Sequence, residues 1–220
     1  MVFINSFLAP MVNRVVLLLV GAFFTAHSHA QMADPGLPPV SATVMSAQPR
    51  ALVLTGFAVN QPVQVLDIDD IAQGFPREVA RRLLKNRQLQ VRTSPNLLSV
   101  DWQQDAPTAS LLSQVGVAYG SQFIVAGEIR NAGTKTDTNL FGLTQKKTRA
   151  IEVDIRIYDA RTGQLIAAQD FSKVVTGDVA IGREHVFGGA AFVATAYGKA
   201  INEVLDQVAE LVSATIIAQR

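Results

Sequence analysis

The stretch DIRIYDARTGQLIAAQDF, Asp154 to Phe171, holds two runs of β-favouring residues with DARTG between them. It is either a ligand-facing loop with Asp159 and Arg161 at its tip or a plain antiparallel hairpin, and the choice decides the fold. DARTG has the length of a hairpin connection, and Gly163 stands where such loops often need a positive φ. Asp159 is placed to accept from backbone N–H groups two or three residues on, which fixes a bend. The hairpin reading accounts for every residue. Immediately upstream, TRAIEVDIRIYD (148–159) alternates strictly, with Ile151, Val153, Ile155 and Ile157 on one side and Glu152, Asp154, Arg156 and Tyr158 on the other. The pattern predicts a strand with one face in the core and the other in water.

Further upstream, ALVLTGFAVN (51–60) and SQFIVAGEIR (121–130) are nearly continuous apolar runs, as strands covered on both faces are, and LQVRTS (89–94) is a short strand. After the loop QPVQVLDIDDIAQG, a helix is expected from about Pro76 to Asn86, with Pro76 at its first position and Phe75, Val79 and Leu83 one turn apart. A second helix lies in PTASLLSQVGVAYG, with Thr108 as N-cap, Leu111, Leu112, Val115 and Tyr119 on one face, and Gly120 as its stop. From about Ala190, the residues Tyr197, Ile201, Val204, Leu205, Val208, Leu211 and Val212 recur at spacings of three and four, the mark of a long helix lying across the sheet. The expected order is strand, helix, strand, helix, strand, strand, strand, helix, without internal repeats. Residues 51–220 are thus predicted to form one α/β (α+β) domain, a mixed sheet of about five strands packed by three helices.

Ahead of this domain, Arg14 precedes an apolar run from Val15 to Phe24, followed by Ser28 and Ala30 at the spacing of a cleavage site. Residues 1–30 therefore read as a secretory signal peptide, its core too short for a membrane span, with Met11 an equally suitable start. Residues 31–50, with Pro35, Pro38, Pro39 and Pro49, read as a flexible proline-rich arm. There is no Cys, so no disulfide framework, and the formal net charge is +1. Near-neutrality gives no electrostatic case for nucleic acid, and the leader points to the periplasm.

Catalytic candidates are few. Of three His, His27 and His29 belong to the leader, which leaves His185. One His and no Cys make a zinc site improbable, and no Gly-x-Ser-x-Gly elbow exists for His185 to serve. Asp67, Asp69 and Asp70 have Glu78 at the twelfth position of a calcium-loop count, but Ala72 occupies the obligatory Gly position and Pro76 interrupts the loop. Solvated acids near a helix start is the better reading. The glycines of VTGDVAIGREHVFGGAAF (175–192) match no phosphate-loop pattern, and Val186, Phe187 and Phe192 are expected to pack beneath this connection. No catalytic residue, cofactor or metal is predicted.

Two groups remain as partner-binding candidates. Leu140, Phe141 and Leu143 stand at the tip of the polar hairpin NAGTKTDTNLFGLTQKK (131–147), either as an exposed partner site or folded back on the core. Arg77, Arg81, Arg82, Lys85 and Arg87 gather on the polar side of the first helix, either as a solvated face or as a dock for an acidic partner.

LLSQVGVAYGSQFIVAGEIRNAG (111–133) and VDIRIYDARTGQLI (153–166) resemble the helix–strand step and the strand pair of TolB N-terminal and CsgG-like envelope domains. FPREVARRLLKNRQLQVRTSPN (75–96) and VFGGAAFVATAYGKAINEVLDQV (186–208) resemble the first helix and the final loop and helix of the FlgT middle-domain family. The resemblance spans 51–220. It implies a non-enzymatic periplasmic protein of the flagellar basal body, in a family that helps build a ring around the LP-ring bushing and recruits motor components. Family members also carry an N-terminal domain and a small β-rich C-terminal domain; here the proline-rich arm stands in place of the first, and the chain stops at Arg220 in place of the second. Protein partners, and a homo-oligomer among them, are implied; catalytic and cofactor residues are not. The rival reading is a soluble periplasmic adaptor of an envelope transport or cell-wall complex, with an enzyme as the third.

Overall fold

A computed structural model describes residues 48–219, apart from 69, 100, 101, 103, 104, 139–144, 183 and 184. The expected leader and most of the expected arm lie outside the described residues. β1 (Arg50–Gly56) is the axis of the sheet. Its Leu52, Val53 and Leu54 are all fully buried, so both faces are covered, as its unbroken apolar run requires. It pairs in parallel with β3 (Leu89–Leu98) on one side and β4 (Phe123–Asn131) on the other. Parallel neighbours need crossovers, and helices supply them. α1 (Ile71–Leu83) joins β1 to β3, and α2 (Ala109–Tyr119) joins β3 to β4. A two-residue strand, β2 (Ala58–Val59), continues the parallel pairing along β4.

Beyond β4 the sheet turns antiparallel. The second half of β6 (Gln145–Asp159) pairs with β4, its first residues pair with β5 (Thr134–Thr138), and its opposite edge carries β7 (Leu165–Thr176). Among the described strands, β3 and β7 are the long edge strands of a seven-stranded mixed sheet, and the short β5, paired with β6 alone, is an edge as well. Pro95 sits in β3, where an edge strand tolerates a missing N–H. The DARTG stretch is a hairpin bend as expected: Gly163 has φ 71°, and Asp159 Oδ1 accepts from the amides of Arg161 at 2.7 Å and Thr162 at 3.1 Å.

One face of the sheet carries α1, α3 (Ala190–Ala194) and α4 (Ala196–Ala218), which enclose the larger core. Phe75, Phe187 and Phe192 meet there, with centroids 6.3 and 5.1 Å apart along the chain of rings. The other face carries α2 and a smaller core of Val53, Leu112, Val115, Ile124, Ala126 and Tyr158, closed by Trp102. α2 begins and ends as its sequence dictates, with Thr108 accepting from Leu111 N at 3.2 Å and Gly120 at φ 55°. Such an N-cap contributes about 1 kcal/mol.

The structure corrects several expectations. The sheet has seven strands among the described residues, because β2 is too short and β5 too polar to be read from periodicity, and there are four α-helices among the same residues. With β2, β5 and α3 set aside, the expected order stands. The last helix is broken at Thr195, whose extended backbone ends α3 and whose Oγ1 accepts from Gly198 N at 2.9 Å to start α4. α1 begins at Ile71, so Pro76 is its sixth residue rather than its first. Proline cannot donate to the carbonyl four residues back; that carbonyl, on Ala72, accepts from Phe57 N instead, at 2.9 Å. Leu111 and Val186 are exposed, not packed. The face of β6 read as wet is half covered: Asp154 and Tyr158 are buried on it.

Candidate functional site

The expected partner residues Leu140, Phe141 and Leu143 lie outside the described residues, but the stem that carries them does not. β5 and the first residues of β6 form a two-stranded ribbon beyond the end of β4, with every β5 residue exposed. An isolated ribbon is marginal in water, so it needs a fixed base. Arg149 provides one. Strand alternation puts it on the same face as Ile151, where it is 1% exposed. Its two terminal nitrogens grip Asp67 at 2.6 and 2.7 Å, and its Nε donates to Ala132 O at 3.1 Å. The guanidinium stacks 4.4 Å from the centre of the Tyr197 ring, and Tyr197 Oη donates to Ala150 O at 2.9 Å. Burial pushes the Tyr197 hydroxyl well above its ordinary range, against the pull of Arg149, so it stays a neutral donor.

This geometry assigns the LDIDD acids. Asp67 is the counter-ion of Arg149, Asp70 pairs with Arg77 at 3.1 Å, and Glu78 lies within α1 against Arg81 at 3.2 Å and Arg82 at 3.4 Å. Asp69 is outside the described residues. No group of three metal-ligating side chains comes together among the described residues. His185 Nδ1 accepts from Gly182 N at 3.1 Å, a contact within its own loop.

The basic helix face divides in two. Arg77 and Arg81 are half exposed or more, as a solvated or docking face requires. Arg82 instead bridges the helices, reaching Asp206 at 2.6 Å and Asn202 at 2.7 Å on α4. Lys85 and Arg87 line an open groove whose far wall carries Asp206 and Glu210. The patch is therefore partly neutralised by α4.

A second polar constellation lies on the α2 face, beyond the end of the smaller core. Register places Glu128 of β4, Asp154 of β6 and Asp170 of β7 directly opposite one another, three carboxylates in one cross-strand row. Arg130 Nη2 reaches both Asp154 at 2.5 Å and Asp170 at 3.3 Å. Asp154 is 4% exposed and Asp170 75%, so the row runs from the interior to the sheet edge. Asp154 Oδ2, Glu128 Oε2 and Arg156 Nε are buried with no hydrogen-bond partner among the described residues. They line a cavity of about 10 Å³ with Ser99 and Trp102, far too small for an organic ligand. Burial, and then the hydrogen bond to Asp170, push the Asp154 carboxyl up to about 7, although Arg130 opposes them. The same bond holds Asp170 below the usual carboxylate range. Sequence reading missed this row: alternation puts Asp154 and Arg156 on one face, but only the register brings Glu128 and Asp170 beside them.

No helix among the described residues is long and apolar enough to cross a membrane. No curated protein is similar enough to be matched. The hypothetical protein CT253 from Chlamydia trachomatis shares the fold, with a TM-score of 0.56 at 16% identity over 78% of this chain and 99% of that one. Lipoprotein GNA1162 from Neisseria meningitidis gives a TM-score of 0.39 at 12% identity over 74% of this chain and 99% of that one. The PelC dodecamer from Paraburkholderia phytofirmans gives 0.37 at 11% identity over 60% of this chain and 77% of that one. The family model for flagellar assembly protein T, middle domain, matches residues 46–185. That range takes in every described strand together with α1 and α2; the resembling stretch 186–208 lies beyond it. The match covers well over half of the chain, which therefore belongs to the family of the middle domain of flagellar assembly protein T.

Proposed function

We propose that the protein is a non-enzymatic periplasmic assembly factor of the flagellar basal body, acting by presenting surfaces to protein partners. The family match over residues 46–185 carries this reading. The leader-like sequence of residues 1–30 supports the compartment. The exposed polar ribbon of β5 and the start of β6, held at its base by Arg149, supports a contact surface on this side of the sheet. Affinity in such a contact rests on a few well-packed side chains, and Leu140, Phe141 and Leu143 are the candidates.

Deletion of the gene, scored for swimming and for basal-body shape by electron microscopy, tests the proposal. Impaired motility with defective basal-body rings is expected. Normal swimming with intact rings discards it. Recovery of transport or wall-synthesis proteins alone from envelope extracts would favour the adaptor reading.

A further inference from the structure

We propose that the row Glu128–Asp154–Asp170 is a proton-operated clasp, in which one proton held between Asp154 and Asp170 keeps the edge strand β7 closed on β6. The arrangement is one of adjacency and count. Directly opposed residues on neighbouring strands bring their Cβ atoms within about 5 Å, and like charges there destabilise the pair. Glu128, Asp154 and Asp170 occupy three such positions in succession. The cations facing them are Arg130 on β4 and Arg156 on β6, two charges against three. Glu152 on β6 lies one alternate position away, where Asn131 Nδ2 donates to it at 3.3 Å. Tyr158 on the same face has its hydroxyl pushed up by burial and stays neutral through the physiological range. Ser99 and Trp102, from the segment between β3 and α2, face the row without titrating.

One proton removes the imbalance. With Asp154 protonated, its O–H donates to Asp170, and Arg130 lies on a carboxyl–carboxylate pair carrying a single negative charge. With that proton lost, Arg130 lies between two carboxylates, and Asp154 holds a charge among buried groups. Relief comes by separating the strands. β7 is the less constrained of the two strands, since β6 is its one strand neighbour among the described strands, whereas β6 is paired on both sides. α4 holds β7 only from the opposite face, through buried Phe171 and the Lys173–Glu203 ion pair at 2.8 Å, which do not face the row. A loosened edge strand offers unpaired backbone donors and acceptors to an incoming segment.

Backbone hydrogen exchange in the full-length protein tests the clasp, at pH 5.5 and pH 8 after correction for intrinsic rates. Protection of β7 amides is expected to fall at least tenfold more than that of β1 amides across this interval. Asp154→Asn, which mimics the protonated carboxyl, is expected to abolish the difference. Asp170→Asn, at the exposed end of the row, is expected to do the same and decides the matter if Asp154→Asn does not fold. Equal changes in β7 and β1, or a difference that persists in the foldable variant, overturn the proposal.

Discussion

Replacing Arg149 by Lys keeps a cation at the base of the ribbon but removes the planar fork. Lysine can satisfy one oxygen of Asp67, where arginine now binds both at 2.6 and 2.7 Å. It also abandons Ala132 O, the partner of Nε, and the stack over Tyr197. A lost charge-assisted bond is worth about 1.5 to 3 kcal/mol, and the low end applies because the Asp67 side chain is 42% exposed. Leaving a buried carbonyl unpaired costs about 1 kcal/mol or more, and the lost ring contact about 0.5 to 1. The expected total is about 3 kcal/mol. With a urea slope of about 2 kcal/mol per molar, the midpoint should drop by roughly 1.5 M. Asp67→Asn should cost less, about 1 to 2 kcal/mol, because water can reach the guanidinium from the Asp67 side. In the double variant the two losses should overlap by about 1 kcal/mol. A change below about 0.5 kcal/mol for Arg149→Lys, or strict additivity in the cycle, would refute the assignment of Arg149 as the anchor.

Stability should also depend on pH. The folded state keeps the Asp154 proton up to about pH 7, whereas the unfolded chain releases it near 4, so folding takes up a proton in that window. Stability therefore falls as pH rises from about 4 to 7, by at most about 1.4 kcal/mol per unit. Asp170, held below the usual range, contributes stability that is lost only in stronger acid, which puts the maximum near pH 4 to 5. Urea melts at pH 4.5, 6 and 7.5 should show the decline, and Asp154→Asn should flatten it; a rise with pH would contradict burial of the Asp154 carboxyl as the cause. On the ribbon, Leu140→Glu with Phe141→Glu should leave thermal stability within about 0.5 kcal/mol while weakening partner recovery. A drop of several degrees in Tm would instead make those side chains part of the core.

Local chemistry was legible in the sequence. Gly163 and Asp159 announce their bend, Thr108 and Gly120 bracket α2, and Ile151 through Ile157 declare a buried face, because each depends on neighbours a few residues away. Features set by distant pairing were not legible. Asp154 reads as a solvated residue of an alternating strand until β4 and β7 align Glu128 and Asp170 beside it. Asp67 reads as a loop acid until Arg149, far along the chain, folds onto it. Pro76 misled for the opposite reason: a sound local rule placed it at a helix start, and a tertiary hydrogen bond made its interior position tolerable.

That hydrogen bond has a consequence for how the molecule comes apart. With no proton on the proline nitrogen, the Ala72 oxygen is spoken for by the amide of Phe57, and the first turn of α1 is stitched to the link between β1 and β2. Fraying at that end of the helix must expose Phe57, whose ring lies 5.5 Å from Phe75. Helix and strand thereby melt as one unit, through a seam whose opening shows at a single backbone amide.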